Sequence, residues 1–248
     1  MKNYVKQSIQ TPRTVVTTSW DDGHKLDLRL AKLLKHYGIG GTFYIAPHDF
    51  ESLESERLND NEIIALAENF EIGAHTMTHR SLPLLSFSEA RNEIIDSKKY
   101  LEKIIAKPVL SFCYPRGKYT SEHVRLVKES GFILARTVKR FALSISNDPF
   151  ELATSIHTYN HFLDVLGVLN FAKWNPLVFF RYYRKWDILA MAMFDKVVAE
   201  GGVFHLWGHS WEIDEYNDWE KIEHVFKYIS QKEGVHYLPN RALIEKTT

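Results

Sequence analysis

Residues 14–46 read TVVTTSWDDGHKLDLRLAKLLKHYGIGGTFYIA, and the reading of this stretch decides the fold. It opens on a β-type run, Thr14–Ser19, passes through a helical run, Lys25–Tyr37, and returns to a β-type run, Gly41–Ala46. Leu26, Leu30, Leu33 and Leu34 recur at helical spacing and give the helix one apolar stripe, while Gly38 supplies the left-handed stop that ends many helices. Strand, helix and strand on short connections make one βα unit of a parallel sheet.

Working outward, the same rhythm repeats. Gly41–Ala46 leads to a helix over Asn61–Asn69, Glu71–His75 to one over Phe87–Ile105, and Leu110–Tyr114 to one over Ser121–Ser130, after which Phe132–Val138 runs into a loop. Ser86 and Glu89 form a capping box for the long helix, and Pro108 stops the chain before the next strand. From Ser144 to Lys185 the rhythm gives way to an aromatic-rich stretch, in which residues 157–186 read HTYNHFLDVLGVLNFAKWNPLVFFRYYRKW. A helix over Asp187–Glu200, a strand over Gly202–His209 and a helix within Trp219–Gln231 then follow. Repeated βα units with one interruption predict an α/β barrel of one domain over residues 1–248, carrying an insertion at about 144–185.

Bulk composition narrows the function classes. A chain of 248 residues that is 45% hydrophobic can fill one large barrel core. Lysine plus arginine, 31, balances aspartate plus glutamate, 31, with no long block of either sign, so the sequence carries no footprint for nucleic acid. Cys113 is the single cysteine, which excludes an intrachain disulfide. The N-terminal MKNYVKQSIQTPRTVV lacks the apolar core of a signal peptide, and no run approaches the roughly 18 apolar residues of a membrane span. A cytoplasmic location is the expectation.

Four constellations carry chemistry. In VVTTSWDDG (15–23) an apolar strand ends on two adjacent carboxylates, Asp21 and Asp22; at the C-terminal end of a barrel strand they lie on the face where active sites assemble. Neighbouring carboxylates repel, and a nearby cation relieves that repulsion; capping of the next helix is the alternative use for such residues. In EIGAHTMTHRSL (71–82), His75 and His79 stand four apart after another short strand, which brings two imidazoles to one side of a turn as a zinc pair requires. A coincidental pair among twelve histidines is the competing reading. Two imidazoles and one carboxylate, without thiolates, form a catalytic rather than a structural donor set.

In SFCYPRGKYT (111–120) a strand enters a Pro-Arg-Gly turn, which aims Arg116 at the same barrel face unless it is merely an exposed turn residue. In GGVFHLWGHSWEI (201–213), Val203, His205, Trp207 and His209 share one face of an extended strand by its period of two. A histidine at that strand's end is a candidate general acid.

Taken in order, Ser-Trp-Asp-Asp-Gly, His-Thr-Met-Thr-His, the Tyr-Pro-Arg-Gly turn and the late histidine strand resemble the polysaccharide deacetylase family, the fold of the nodulation-type chitooligosaccharide deacetylases. The resemblance spans roughly Val15 to Glu212. It implies a distorted seven-stranded β/α barrel and a metal-dependent hydrolase that removes an acetyl group from a carbohydrate or glycan precursor. It further implies Asp22, His75 and His79 as ligands of Zn2+, or of Co2+ or Ni2+; Asp21 as general base; and His209, with His205 as rival, as general acid.

This chain departs from the family pattern at two places. The family's third motif usually carries an Arg where Cys113 stands, so the arginine that orients the base falls to Arg116 or Arg136. The Asp-Trp pair that tunes the acid histidine has no counterpart in ILARTV (133–138). Tyr114 and Trp207 are the expected substrate contacts, and an N–H within Tyr114–Gly117 the expected oxyanion donor. Alternatives at the same site are a hydrolase of a non-sugar or cyclic amide, and a carbohydrate-binding barrel without turnover. The aromatic stretch offers sugar stacking, a membrane-surface or homo-oligomer contact, or plain cover for the barrel side.

Overall fold

Nine consecutive buried residues, Thr14–Asp22, form strand β1 at the centre of the sheet. The computed structural model describes residues 14–245 of the chain, so the leader reading of residues 1–13 lies outside the described residues. The further strands are β2 (Thr42–Ile45), β3 (Glu71–Ala74), β4 (Ser111–Cys113), β5 (Leu134–Arg136), β6 (Ile156–His157), β7 (Gly202–Gly208) and β8 (Val235–Tyr237). The helices are α1 (Asp27–Tyr37), α2 (Asp60–Ala67), α3 (Phe87–Ile105), α4 (Ser121–Glu129), α5 (Val165–Phe171), α6 (Pro176–Tyr182), α7 (Trp186–Glu200), α8 (Ser210–Glu215), α9 (Trp219–Ile229) and α10 (Ala242–Glu245).

Every pairing is parallel, in the order β5-β4-β3-β2-β1-β7-β6, with β8 beside the first residues of β1. The sheet curls until its edges meet through one broken strand. Leu152 bonds to β5 on both sides, its N–H donating to Ala135 O and its carbonyl accepting from Thr137 N, each at 2.9 Å. Three residues later Ser155 N donates to His205 O of β7, also at 2.9 Å. The result is the expected distorted β/α barrel, whose final gap is closed by residues 152–158.

The barrel interior is layered by strand alternation. Val15, Leu134, Leu152, Val203 and Leu243 plug its lower end. Above them lies a polar layer: Thr17 donates to Asn240 Oδ1 at 2.8 Å, Asn240 Nδ2 to Tyr44 Oη at 2.9 Å, and Ser19 Oγ meets His205 Nε2 at 2.8 Å. Asp21, Arg136 and Trp207 form the top layer, where Arg136 bonds Asp21 and its guanidinium carbon lies 4.6 Å from the Trp207 ring. Even-numbered residues of β1 face outward, and Trp20 meets Phe226 of α9 edge-on at 6.1 Å. Each aromatic pair of this kind contributes about 0.5–1.5 kcal/mol beyond its buried area.

Strands β6 and β8 are absent from the sequence reading: β6 has two residues, too few to show a period, and β8, half-buried or exposed throughout, lacks the apolar run that marks β4 and β5. Since β6 falls within 144–185, the aromatic-rich range holds barrel wall in its first part and the helices α5 and α6 in its second. Among the described residues no helix is long and apolar enough to cross a membrane.

Candidate active site

The upper ends of β1, β3, β4 and β7 surround a cleft of about 700 Å³, lined among others by Asp21, Asp22, His75, His79, Arg140, His161, Trp207, His209 and Trp211. Three of the turns around it hold four non-glycine residues with left-handed backbones: Asp22 (φ 80°), Thr76 (φ 63°), His79 (φ 61°) and Arg116 (φ 58°). Such strain costs on the order of 1–3 kcal/mol per residue and persists where surrounding structure fixes a functional geometry. Gly23 follows Asp22 with φ 80°, and a Cβ there would come within 2.8 Å of Ile45, so the Asp-Asp-Gly turn admits no side chain at its third position.

Asp22 reaches across this turn toward two imidazoles. Its Oδ2 accepts the Trp211 indole N–H at 2.9 Å, whereas Oδ1 is buried and has no hydrogen-bond partner. That unpartnered oxygen lies 3.6 Å from His75 Nε2 and 3.4 Å from His79 Nε2. Both rings are oriented from behind, His75 Nδ1 at 2.8 Å from the Cys113 carbonyl and His79 Nδ1 at 2.9 Å from Glu51 Oε2. A backbone or carboxylate acceptor on Nδ1 fixes the tautomer that turns an Nε2 lone pair inward. Burial, aided by the neighbouring His79 ring, keeps the His75 ring neutral, down to about 4, against the opposing pull of Asp21 and Asp22. One buried orphan oxygen and two inward lone pairs fit a divalent cation better than they fit one another.

Asp21, one residue earlier, points into the barrel. Burial would raise its pKa, but the Arg136 guanidinium, with His75 and His209, holds the carboxyl at about 2. Of the two arginines left open by sequence, the structure brings Arg136 to Asp21. Arg116 lines the cleft as well, but it is half-exposed and grips Glu51, the partner of His79, instead of Asp21. The cause lies in the sheet register: Cys113 of β4 pairs with Arg136 of β5, so both side chains enter the barrel at one level. Cys113 Sγ is 3.7 Å from Asp21 Oδ2, and its small side chain leaves the volume that the neighbouring strand's arginine fills.

The two candidate acids part by depth. His205 lies one alternation below Trp207, bonded to Ser19, and burial holds it neutral down to about 3. It does not line the cleft. His209, four residues further along a chain that rises about 3.3 Å per residue, stands at the rim. Its Nδ1 is 3.2 Å from Glu212 Oε2 and its Nε2 3.9 Å from Asp22 Oδ2. Burial opposes its protonation, yet Asp22, Glu212 and Asp21 together raise its pKa to about 9.

Tyr114 is turned away from the cleft: as the residue after inward Cys113 it faces outward, stacks on Tyr119 and donates its hydroxyl to Phe150 O at 3.1 Å. The N–H of Tyr114 donates to Arg136 O and that of Gly117 to Tyr114 O, so neither is available as an oxyanion donor. Trp207 does line the cleft, and its indole N–H has no partner.

Glu212, His157, Trp211 and Glu51 escaped the sequence reading. His157 stacks on Trp207 with ring centroids 3.8 Å apart and places Nε2 2.9 Å from Glu212 Oε2 and Nδ1 2.7 Å from His161 Nε2. Glu212 is thereby held between two imidazoles, which outweigh its burial and keep its carboxyl at about 2. The i,i+3 spacing of His209 and Glu212 was a usable signal; no local pattern marked His157, which lies on a two-residue strand.

Comparisons with known proteins bear on this geometry. The polysaccharide deacetylase family matches residues 8–135, just over half of the chain. A peptidoglycan-N-acetylglucosamine deacetylase of Bacillus cereus is 28% identical over 135 residues, 52% of this chain and 59% of that relative's length. Among solved structures, a protein of Mycobacterium smegmatis assigned to the polysaccharide deacetylases superposes with a TM-score of 0.69 at 14% identity, covering 96% of this chain and 91% of that one. The deacetylase PplD of Streptococcus pyogenes, solved with acetate, gives 0.51 at 21% identity over 55% of this chain and 62% of its own. The structural likenesses concern the barrel alone, whereas the match over residues 8–135 runs through Asp22, His75 and His79, and it establishes that the chain belongs to the polysaccharide deacetylase family.

Proposed function

We propose that this protein is a divalent-metal-dependent hydrolase that removes an N- or O-linked acetyl group from a carbohydrate or glycan precursor. The observation that carries the reading is Asp22 Oδ1, buried and without a hydrogen bond, facing the two Nε2 atoms of His75 and His79. The two imidazoles and one carboxylate would hold Zn2+, with Co2+ or Ni2+ as alternatives; when bound, such a cation would supply the Lewis acidity that makes water acidic near neutral pH and polarises an acyl carbonyl.

The chain's own groups divide the remaining work. Asp21, kept ionised by Arg136, accepts a proton from water at the cleft floor. His209, kept protonated with Glu212 on its Nδ1, delivers the Nε2 proton to the departing amine or hydroxyl. Glu212 has particular importance, because Asp22 is engaged as a ligand and cannot hold that proton alone. Glu212 and His157 thus replace the Asp-Trp pair that the family usually places on the following strand. Trp207 offers its ring edge to the sugar.

The test is a metal titration joined to acetate release. Purified protein should bind one zinc, cobalt or nickel ion and liberate acetate from N-acetylglucosamine oligomers or O-acetylated sugars, the first of these suggested by the Bacillus cereus relative. Hydrolysis of cyclic ureides or imides with no acetate from any sugar would move the substrate to a non-sugar amide. Sugar binding without turnover under every metal would make the chain a binding barrel.

A further inference from the structure

Helices α5 and α6 present an outer face whose chemistry is the reverse of a solvated one. Phe162, Leu163, Leu166, Trp174, Leu177 and Phe180 are each between 64% and 86% exposed, and they make up six of the fourteen exposed large hydrophobic side chains among the described residues. On α6 the outward positions Leu177, Phe180 and Arg181 follow i, i+3 and i+4, with Arg184 in the turn beyond the helix, while Phe179, Tyr182 and the capping Tyr183 pack on the main core. A helix apolar on every side belongs between two apolar media, and here one of them is missing.

Charge identifies the missing medium. Lys173, Arg181, Arg184 and Lys185 are exposed at the edge of this face, and none forms an ion pair among the described residues. Asp164, the carboxylate within residues 162–185, is engaged by Arg140. A second copy of the chain docked on this face would bring like charges together, because a two-fold contact repeats the same patch on both sides. A surface of anionic headgroups over acyl chains matches both the cations and the apolar side chains, with Trp174 at the boundary depth that indole prefers.

We propose that the outer face of residues 162–185 is a docking surface for an anionic membrane interface, seated with α5 and α6 against the bilayer. The face begins at the cleft itself: His161 lines the cleft, Phe162 follows it, and Tyr183 Oη holds the Phe162 carbonyl at 3.1 Å. Docked in this way, the cleft mouth opens beside the headgroups. The proposal stands independently of the deacetylase reading, since vesicle binding needs no turnover.

The experiment is co-sedimentation of the full chain with phosphatidylcholine vesicles, with and without phosphatidylglycerol. Expected are binding to the phosphatidylglycerol vesicles that weakens with salt, a loss on the order of 100-fold in Arg181→Glu, Arg184→Glu, Lys185→Glu, and a loss of at least tenfold in Leu177→Glu, Phe180→Glu. Both variants should keep the thermal midpoint and the activity on soluble substrate. The triple charge variant alters exposed, unpaired residues only, so it keeps the test decisive if the apolar variant fails to fold. Absence of binding to either vesicle, equal binding by wild type and triple variant, or a dimer in solution that Leu177→Glu, Phe180→Glu dissociates would overturn the proposal.

Discussion

The two halves of the barrel build the cleft by different means. From β1 to β4, ligand-type side chains stand on strand ends and on the turns directly after them: Asp21 and Asp22 at the end of β1, His75 and His79 after β3. From β5 onward the contributions come from scattered places, Arg136 on a three-residue strand, His157 on a two-residue strand, His209 just beyond β7 and Glu212 on α8. Ser210 anchors that last segment by donating to Asp27 of α1 at 2.5 Å. The first half depends on local backbone and the second on packing between distant elements. Chemistry that needs fixed distances between several ligands stays on short rigid turns, while groups acting through one proton can be drawn from wherever the barrel wall offers a site.

The comparison breaks most visibly at the first half. His75→Ala, His79→Ala should bind no stoichiometric metal by elemental analysis and lose activity about 10³-fold or more, several kcal/mol of transition-state stabilisation. Full metal occupancy in that variant would remove the ligand assignment, and with it the contrast between the halves.

Next in size is the junction between them. Arg136→Met strands the buried Asp21 without its cation and should cost about 3–5 kcal/mol of stability in urea unfolding. Because Cys113 and Arg136 share one register level, Cys113→Arg, Arg136→Ser should recover part of both stability and turnover. Recovery would show that the arginine can be supplied from either strand; its complete failure would mean that only β5 can deliver it.

A smaller effect is expected in the second half. Glu212→Gln keeps shape and removes charge, so kcat should fall about 10- to 100-fold, as for a partner of a catalytic group, with KM little changed. The alkaline limb of the pH profile should move to lower pH, since His209 loses a carboxylate that holds its proton. An unmoved limb would leave Glu212 a structural role only.

Smallest is the pH dependence of folding. Burial holds His205 and His157 neutral down to about 3 and about 4, against an ordinary value of 6.5. As pH falls below 6.5 the unfolded chain takes up protons that these folded imidazoles refuse, so stability falls by about 1.4 kcal/mol per pH unit for each group. Urea midpoints of metal-free protein between pH 7 and about 4 should show this slope, to which His75, held neutral in the same way, adds its own share, and His205→Gln should remove one group's share of it.

How much of this was legible follows the same division. Asp22, His75 and His79 could be picked out because each follows an apolar run by one or a few residues, and short turns keep sequence neighbours together in space. Tyr114 and Cys113 show the limit within that half: strand parity sends adjacent residues to opposite faces, and only the register with β5 reveals which of them faces Asp21. His157 had no such guide, since its partners Trp207 and Glu212 arrive from another part of the chain, whereas Glu212 stands three residues from His209.

The sequence by itself determined the alternation of strands and helices, the carboxylate pair, the histidine pair and the order in which they occur, because periodicity and short-range spacing are properties of the chain. The tertiary structure decided which arginine reaches Asp21, which histidine stands at the rim, what holds its proton and which helix faces are left apolar. Those outcomes depend on register, depth and neighbours brought together from separations of many tens of residues, such as the 115 positions between Asp21 and Arg136, which no local pattern encodes.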